Sequence, residues 1–184
     1  LLENGEGDKQ KNRTALVISI FALLLAVTSL GGSNASKEAT QENILAANAY
    51  AFYQAKNIRQ TSFKLAATNL ELQLLREPSM PPAARAATEK AMEEYKKNIA
   101  RYESEPDTQE GKKELLARAK AHEAARDLAL RQDPWFDYAQ GMLQIAIVLL
   151  SASIIAGIRT LFIGGNLVGL LGTLAMVNGF FLLI

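Results

Sequence analysis

Cysteine is absent from the 184-residue chain, histidine occurs once, proline five times, and three long stretches carry no charged side chain apart from one arginine between the last two. Without cysteine there is no disulfide, no thiolate zinc site and no cysteine nucleophile, a composition that fits either side of a membrane. The one histidine, His122, lies in Lys120-Ala-His-Glu-Ala-Ala-Arg126. A helical metal site needs ligands three or four residues apart on one face; Glu123 is adjacent instead, so His122 reads as part of a solvated helix face. The sequence has no phosphate-cradling glycine loop, and its histidine is far from any glycine-flanked serine. These absences leave no constellation for catalysis, and the expectation is a non-enzymatic protein with no cofactor and no metal.

The uncharged stretches are residues 14–32, 139–158 and 160–184, the last two separated only by Arg159. Each supplies about the 20 residues that a helix rising ~1.5 Å per residue needs to cross ~30 Å of hydrocarbon. Residues 33–138, by contrast, hold 16 Lys plus Arg and 16 Asp plus Glu. The overall hydrophobic fraction of 49% and net charge of +1 are therefore averages over two unlike populations. A charge-balanced insertion lacks the clustered basic excess of a nucleic-acid surface, so no nucleic-acid partner is expected. Coupled transporters place ionisable groups within their spans, and the cores of these three contain none.

Lys9, Lys11 and Arg13 precede the first apolar run and only Lys37 follows it closely, which places the N-terminus in the cytoplasm and residues 33–138 on the far side. The run is long for a signal peptide and reads as an uncleaved anchor. Arg159 marks the turn between the last two spans. Trp135, Phe136 and Tyr138 stand just before the second span, at the depth where amphipathic rings favour the headgroup layer.

The polar insertion reads as helix. Residues 35–75 contain neither Gly nor Pro, and Ile44, Ala51, Ile58, Leu65 and Leu72 recur every seven positions, the spacing of a helix-association seam. Leu45, Phe52, Phe63, Ala66 and Leu70 widen that stripe. Gly31-Gly32 either passes within one long helix or breaks it, with Ser33 or Asn34 capping a new start. The run Glu77-Pro-Ser-Met-Pro-Pro82 turns the chain, Pro106 interrupts a second helix, and Asp133-Pro134 launches the second span. Glu89, Glu93 and Glu94 alternate with Lys90, Lys96 and Lys97, which reads as ion pairing on an exposed helix and not as a cation site.

The organisation that follows is a polar tail over 1–13, a transmembrane helix over 14–32, a hairpin domain over 33–138 and transmembrane helices over 139–158 and 160–184. Within the hairpin domain, helices are expected at about 35–75, 83–104 and 107–132. An outward arm of ~60 Å and a returning pair totalling ~70 Å match in length. The fold class is an all-α membrane protein: three transmembrane helices with a long, coiled-coil-like extramembrane hairpin between the first and second.

The basic lead-in, the first span, the stretch Asn48-Ala-Tyr-Ala-Phe-Tyr-Gln-Ala-Lys-Asn-Ile-Arg59, the charged helical middle and the two closing spans together resemble a bacterial membrane protein family catalogued as domain of unknown function 4337. Tyr50 to Arg59 is the best local match. The chain departs from the family's usual pattern in offering only Arg159 at the turn between its last spans. The resemblance implies a topology and a compartment, the bacterial inner membrane, and it brings no catalytic residues.

Three groups of residues then stand as candidates. Gly165, Gly169, Gly172 and Gly179 allow close helix approach, either between subunits or within one chain. With the row Ile44, Ala51, Ile58, Leu65 and Leu72, they suggest a scaffold or accessory protein that meets the lipid bilayer and forms a homo-oligomer or joins a larger membrane complex. The alternative is an oligomeric pore lined by Gln144, Asn166 and Asn178.

Overall fold

A computed structural model describes the backbone of residues 2–184 and the side chains from Lys9 onward. Regular structure among the described residues is all helical: α1 (Leu2–Arg76), α2 (Pro82–Glu103), α3 (Lys112–Ala156) and α4 (Arg159–Phe181). Three of these helices, α1, α3 and α4, are long and apolar enough to cross a membrane.

The helix boundaries follow from local chemistry, with three differences from the sequence expectation. Residues 2–13, read as a tail, belong to α1, and α1 runs unbroken through Gly31-Gly32. The glycines there serve close approach: a Cβ on Gly31 would stand 2.6 Å from Phe136 Cε1 and one on Gly32 3.1 Å from Phe136 Cβ. Pro82 then opens α2 at a first-turn position, where its missing N–H has no intrahelical partner to lose.

The third helix begins at Lys112 and not at residue 107. Gln109, with φ of 56°, takes a left-handed conformation that interrupts helix, and the ladder restarts where Leu115 N donates to Gly111 O at 2.9 Å. Glu114 ties this turn together, accepting from Ser104 Oγ at 2.6 Å and from Glu105 N at 3.2 Å. A Cβ on Gly111 would lie 2.7 Å from Ser104 Cα, so the turn closes only around glycine.

Asp133-Pro134 starts no new helix, because α3 continues through Pro134. The proline removes one ladder bond, the one Leu130 O would accept, while rows on either side hold the helix together. Ala129, Phe136, Leu143 and Leu150 are all buried at seven-residue spacing. Gly157, with φ of 66°, ends α3 by donating its N–H to Ser153 O at 3.0 Å. This is the left-handed glycine stop common at helix C-termini.

The chain divides into two compact units, Leu1–Gln41 with Ala125–Ile184, and Glu42–Ala124. In the first unit, small residues face inward. Thr28, Ala35 and Ala39 of α1, Ala139, Ala146 and Ser153 of α3, and Gly165, Gly172 and Gly179 of α4 are buried. Apart from Phe136, Leu143, Leu150 and Met176, which are buried, many large apolar side chains point out: Leu16, Leu23 and Leu30 are 63–67% exposed, and Val148, Leu167, Leu170 and Leu174 are similarly open.

In the second unit, segments of α1 and α3 pack with α2. Ala46, Ala49 and Ala67 of α1 and Leu115 and Ala119 of α3 are buried. Phe63 joins α1 to α2, its ring centroid 5.6 Å from that of Tyr95 and 5.7 Å from that of Tyr102.

Candidate functional site

The row Ile44, Ala51, Ile58, Leu65 and Leu72 is not the seam inside the second unit. All five are exposed, Ile58 at 65% and Leu65 at 62%, and Phe52 beside them at 63%. The buried face of the same helix is carried by Ala46, Ala49, Gln60 and Ala67. At 100° per residue, Gln60 lies about 160° around the helix from Ile58 and about 140° from Leu65. The helix therefore has two seven-residue rows on opposite faces. The row of small and polar residues makes the intramolecular contact; the row of large apolar residues is open.

A polar cluster sits on the inward face. Gln60 is 1% exposed; its Nε2 donates to Ile99 O at 3.0 Å and to Glu103 Oε2 at 2.8 Å. Lys112 Nζ donates to Gln60 Oε1 at 2.9 Å, lies 3.4 Å from Glu103 Oε2, and stands 5.6 Å from the centroid of the Tyr53 ring. Buried lysine needs such company, because an unpaired ammonium away from water is costly. The Gln60 hydrogen bond, with the Lys112 ammonium, holds the Glu103 carboxyl below its ordinary value against a smaller opposing effect of desolvation. The Ser104 hydroxyl does the same, first among its neighbours, for Glu114.

His122 is half-buried and paired, not on an open helix face: its Nδ1 lies 2.6 Å from Glu42 Oε2. The pairing joins residues 80 apart in sequence, which is why local spacing gave no sign of it. Tyr50 Oη donates to Glu123 Oε2 at 3.0 Å in the same region. Lys56 pairs with Glu110 at 3.1 Å. Phe52, Ala55, Lys56, Arg59, Glu110, Leu115 and Arg118 line a cavity of about 320 Å³ next to the open row.

In the first unit the glycines of α4 are used within the chain. A Cβ on Gly165 would meet Leu150 Cγ at 2.8 Å, one on Gly172 Met142 Cβ at 3.0 Å, and one on Gly179 Phe136 Cε1 at 2.9 Å. Gly169 is covered by the Phe21 ring. Of the three aromatic residues expected at a membrane interface, Phe136 is turned into the helix packing. It is 2% exposed and packs edge-on against Phe180, with ring centroids 4.8 Å apart. The cause is the small surface of Gly31 and Gly179, which admits a full ring between α1 and α4. Trp135 packs against Ala139, Ala175 and Met176 and meets Tyr138 edge-on, and Tyr138 is open, as is Arg159.

Within one chain Gln144, Asn166 and Asn178 have different surroundings. Gln144 is exposed on α3. Asn166 Nδ2 donates to Phe162 O at 2.7 Å, within its own helix. Asn178 is buried and closes the end of α4, accepting from Ile184 N at 3.0 Å and donating to Ile184 O at 3.3 Å. Ser151, Ser153 and Thr173 likewise donate back along their helices.

Sequence reasoning missed Gln60, Lys112, Glu103 and Glu42. One signal was available: Ala39, Ala46, Gln60 and Ala67 lie in a seven-residue register of small and polar residues, out of phase with the larger Ile and Leu row. No curated protein and no solved structure matches the chain. A family model described as "Domain of unknown function (DUF4337)" does match it, over residues 10–182. With these helices spread over the matched span, the chain belongs to the DUF4337 family.

Proposed function

We propose that this protein is a non-enzymatic integral membrane scaffold of the bacterial inner membrane that associates with further copies of itself. In this reading α1, α3 and α4 supply three spans, the N-terminus is cytoplasmic, and the charged helical region stands as a hairpin on the periplasmic side. The inward glycines and outward leucines of the first unit support insertion. Helices in lipid associate through small residues, whereas an apolar exterior of this extent would be a liability in water.

The observation that carries self-association is the open row Ile44, Ala51, Ile58, Leu65 and Leu72, with exposed large side chains at four of its five positions. It lies in a segment interrupted by Lys56, Arg59, Lys64 and Glu71, which hydrocarbon would not accommodate cheaply. A seven-residue apolar row on a charged helix is the form of a coiled-coil contact, and a second copy supplies a matching row.

Mass measurement in mild detergent tests this. The wild-type chain is expected as an oligomer, and Ile58→Asp with Leu65→Asp as a monomer with unchanged helix content, because both positions are open within one chain. A monomeric wild type without a co-purifying partner would sink the scaffold reading; a heteromer would make the row a contact for another subunit. Orientation is read by single-cysteine labelling at Lys9→Cys and Lys97→Cys, with no native thiol competing.

A further inference from the structure

The first unit contains a cavity of about 260 Å³ where α1, the end of α3 and the start of α4 meet, lined in part by Lys11 and Arg159. These two cations come from residues 148 positions apart in sequence and share one concavity. Among the described residues, neither has an ion-pair partner. Gln10 adds an amide to the lining.

Two hydroxyls at the cavity, Thr14 and Ser153, are buried, but their protons are committed to Gln10 O at 2.9 Å and Leu150 O at 2.7 Å. Donors for an incoming group are therefore the ammonium, the guanidinium and the Gln10 amide, a set suited to an anion. The start of α4 adds to this, since Ile158 at its N-cap provides no side-chain acceptor for the first-turn N–H groups.

The remaining lining is apolar. Ile154, Ile158 and Phe162 share the cavity with the cations, and Ile155 next to them is 89% exposed. A free inorganic anion has no use for such a wall, whereas an amphiphile has one end for each. We propose that this cavity binds the phosphate of an anionic phospholipid headgroup, with Lys11 and Arg159 contacting its oxygens and the isoleucines and Phe162 flanking its acyl region. Basic pockets between spans favour anionic lipids through the same combination of charge and apolar wall. The assignment rests on the membrane reading above.

The test uses the full chain in a neutral detergent with equal amounts of phosphatidylglycerol and phosphatidylcholine, and native mass spectrometry counts retained lipid. Phosphatidylglycerol should be retained in preference. Lys11→Gln with Arg159→Gln should lower its retention by about 25-fold, since each cation near a lipid phosphate contributes roughly a factor of five. Lys9→Gln with Arg13→Gln removes the same charge outside the cavity lining and should change retention by less than about twofold, since these exposed cations do not line the cavity and are screened by water and salt.

Equal loss in both double variants, or none in the first, would overturn the site. Displacement of the lipid by excess inorganic phosphate in the wild type, and not in the first double variant, would reassign the cavity to a soluble phosphate and overturn the lipid assignment. Flotation with vesicles of phosphatidylcholine alone separates the two readings. A chain that fails to float overturns membrane insertion and this proposal together; one that floats but does not discriminate between the lipids overturns the site alone.

Discussion

In the unit formed by residues 1–41 and 125–184, Gly, Ala, Ser and Thr supply most of the inward surface, joined by Phe136, Leu143 and Leu150, while many other Leu, Ile and Val side chains face out. In residues 42–124, alanines also line the seam, but they share it with Gln60, Lys112 and the Phe63–Tyr95–Tyr102 stack. The difference teaches what each region uses to associate its helices. Where backbones approach across glycine, close contact replaces the hydrophobic drive, and added volume is the vulnerable point. Where a buried ammonium is held by an amide and a carboxylate, loss of a partner is the vulnerable point.

The largest expected effect is therefore enlargement at a glycine of the first unit. Gly31→Leu should cost about 3 kcal/mol or more, read as lost monodispersity and a lower Tm in detergent. Gly31→Ala should cost less, and adding Phe136→Leu to it should recover part of that loss, because Phe136 supplies the two nearest atoms that the new Cβ meets. The same enlargement at Gly141, which has nothing within 4 Å, should be tolerated, and equal damage at both sites would break the distinction.

Next comes Gln60→Leu, which leaves Lys112 buried with only the longer Glu103 contact. The expected loss is about 2–3 kcal/mol, measured by thermal melting of the helical signal. Replacing Gln60 and Lys112 together by Leu and Met should restore part of it, since no polar group is then stranded.

The acid response should be smaller and confined to the second unit. Glu103 and Glu114 are held below their ordinary value of 4.5, so the stability they contribute is present above that value. It is lost as pH falls through their lower folded values. Hydrogen exchange around the α2–α3 turn should quicken below about pH 4.5 before the first unit responds, and Ser104→Ala, by bringing the folded Glu114 carboxyl back toward its ordinary value, should weaken that response. The smallest effect is expected for Arg85→Ala, whose pair with Glu89 at 3.1 Å is half-exposed on α2, a change within ~0.5 kcal/mol.

Much of the architecture was legible because charge and proline act locally. The three uncharged stretches lie in the helices that are apolar enough to span, and the prolines at 78–82 separate α1 from α2. The phase of the seam was not legible from large side chains. Periodicity weighted by hydrophobicity selects Ile44, Ile58 and Leu65, yet the chain packs on Ala46, Ala49 and Ala67, where small volume matters more than transfer free energy. The start at Lys112 was hidden because it depends on a carboxylate, Glu114, reaching back to Ser104 and Glu105. The inward turn of Phe136 was not legible because an aromatic residue ahead of an apolar run gives no sign of the glycines that receive its ring.

An alanine seam has little to distinguish one alignment of its helices from another, because every heptad offers much the same contour. Sliding α1 by seven residues would set Tyr53 or Ala67 where Gln60 now stands and strand the Lys112 ammonium. Gln60 thus acts as a ratchet stop, alongside the Tyr53 ring one heptad away, and a chain without it would be expected to sample more alignments while folding.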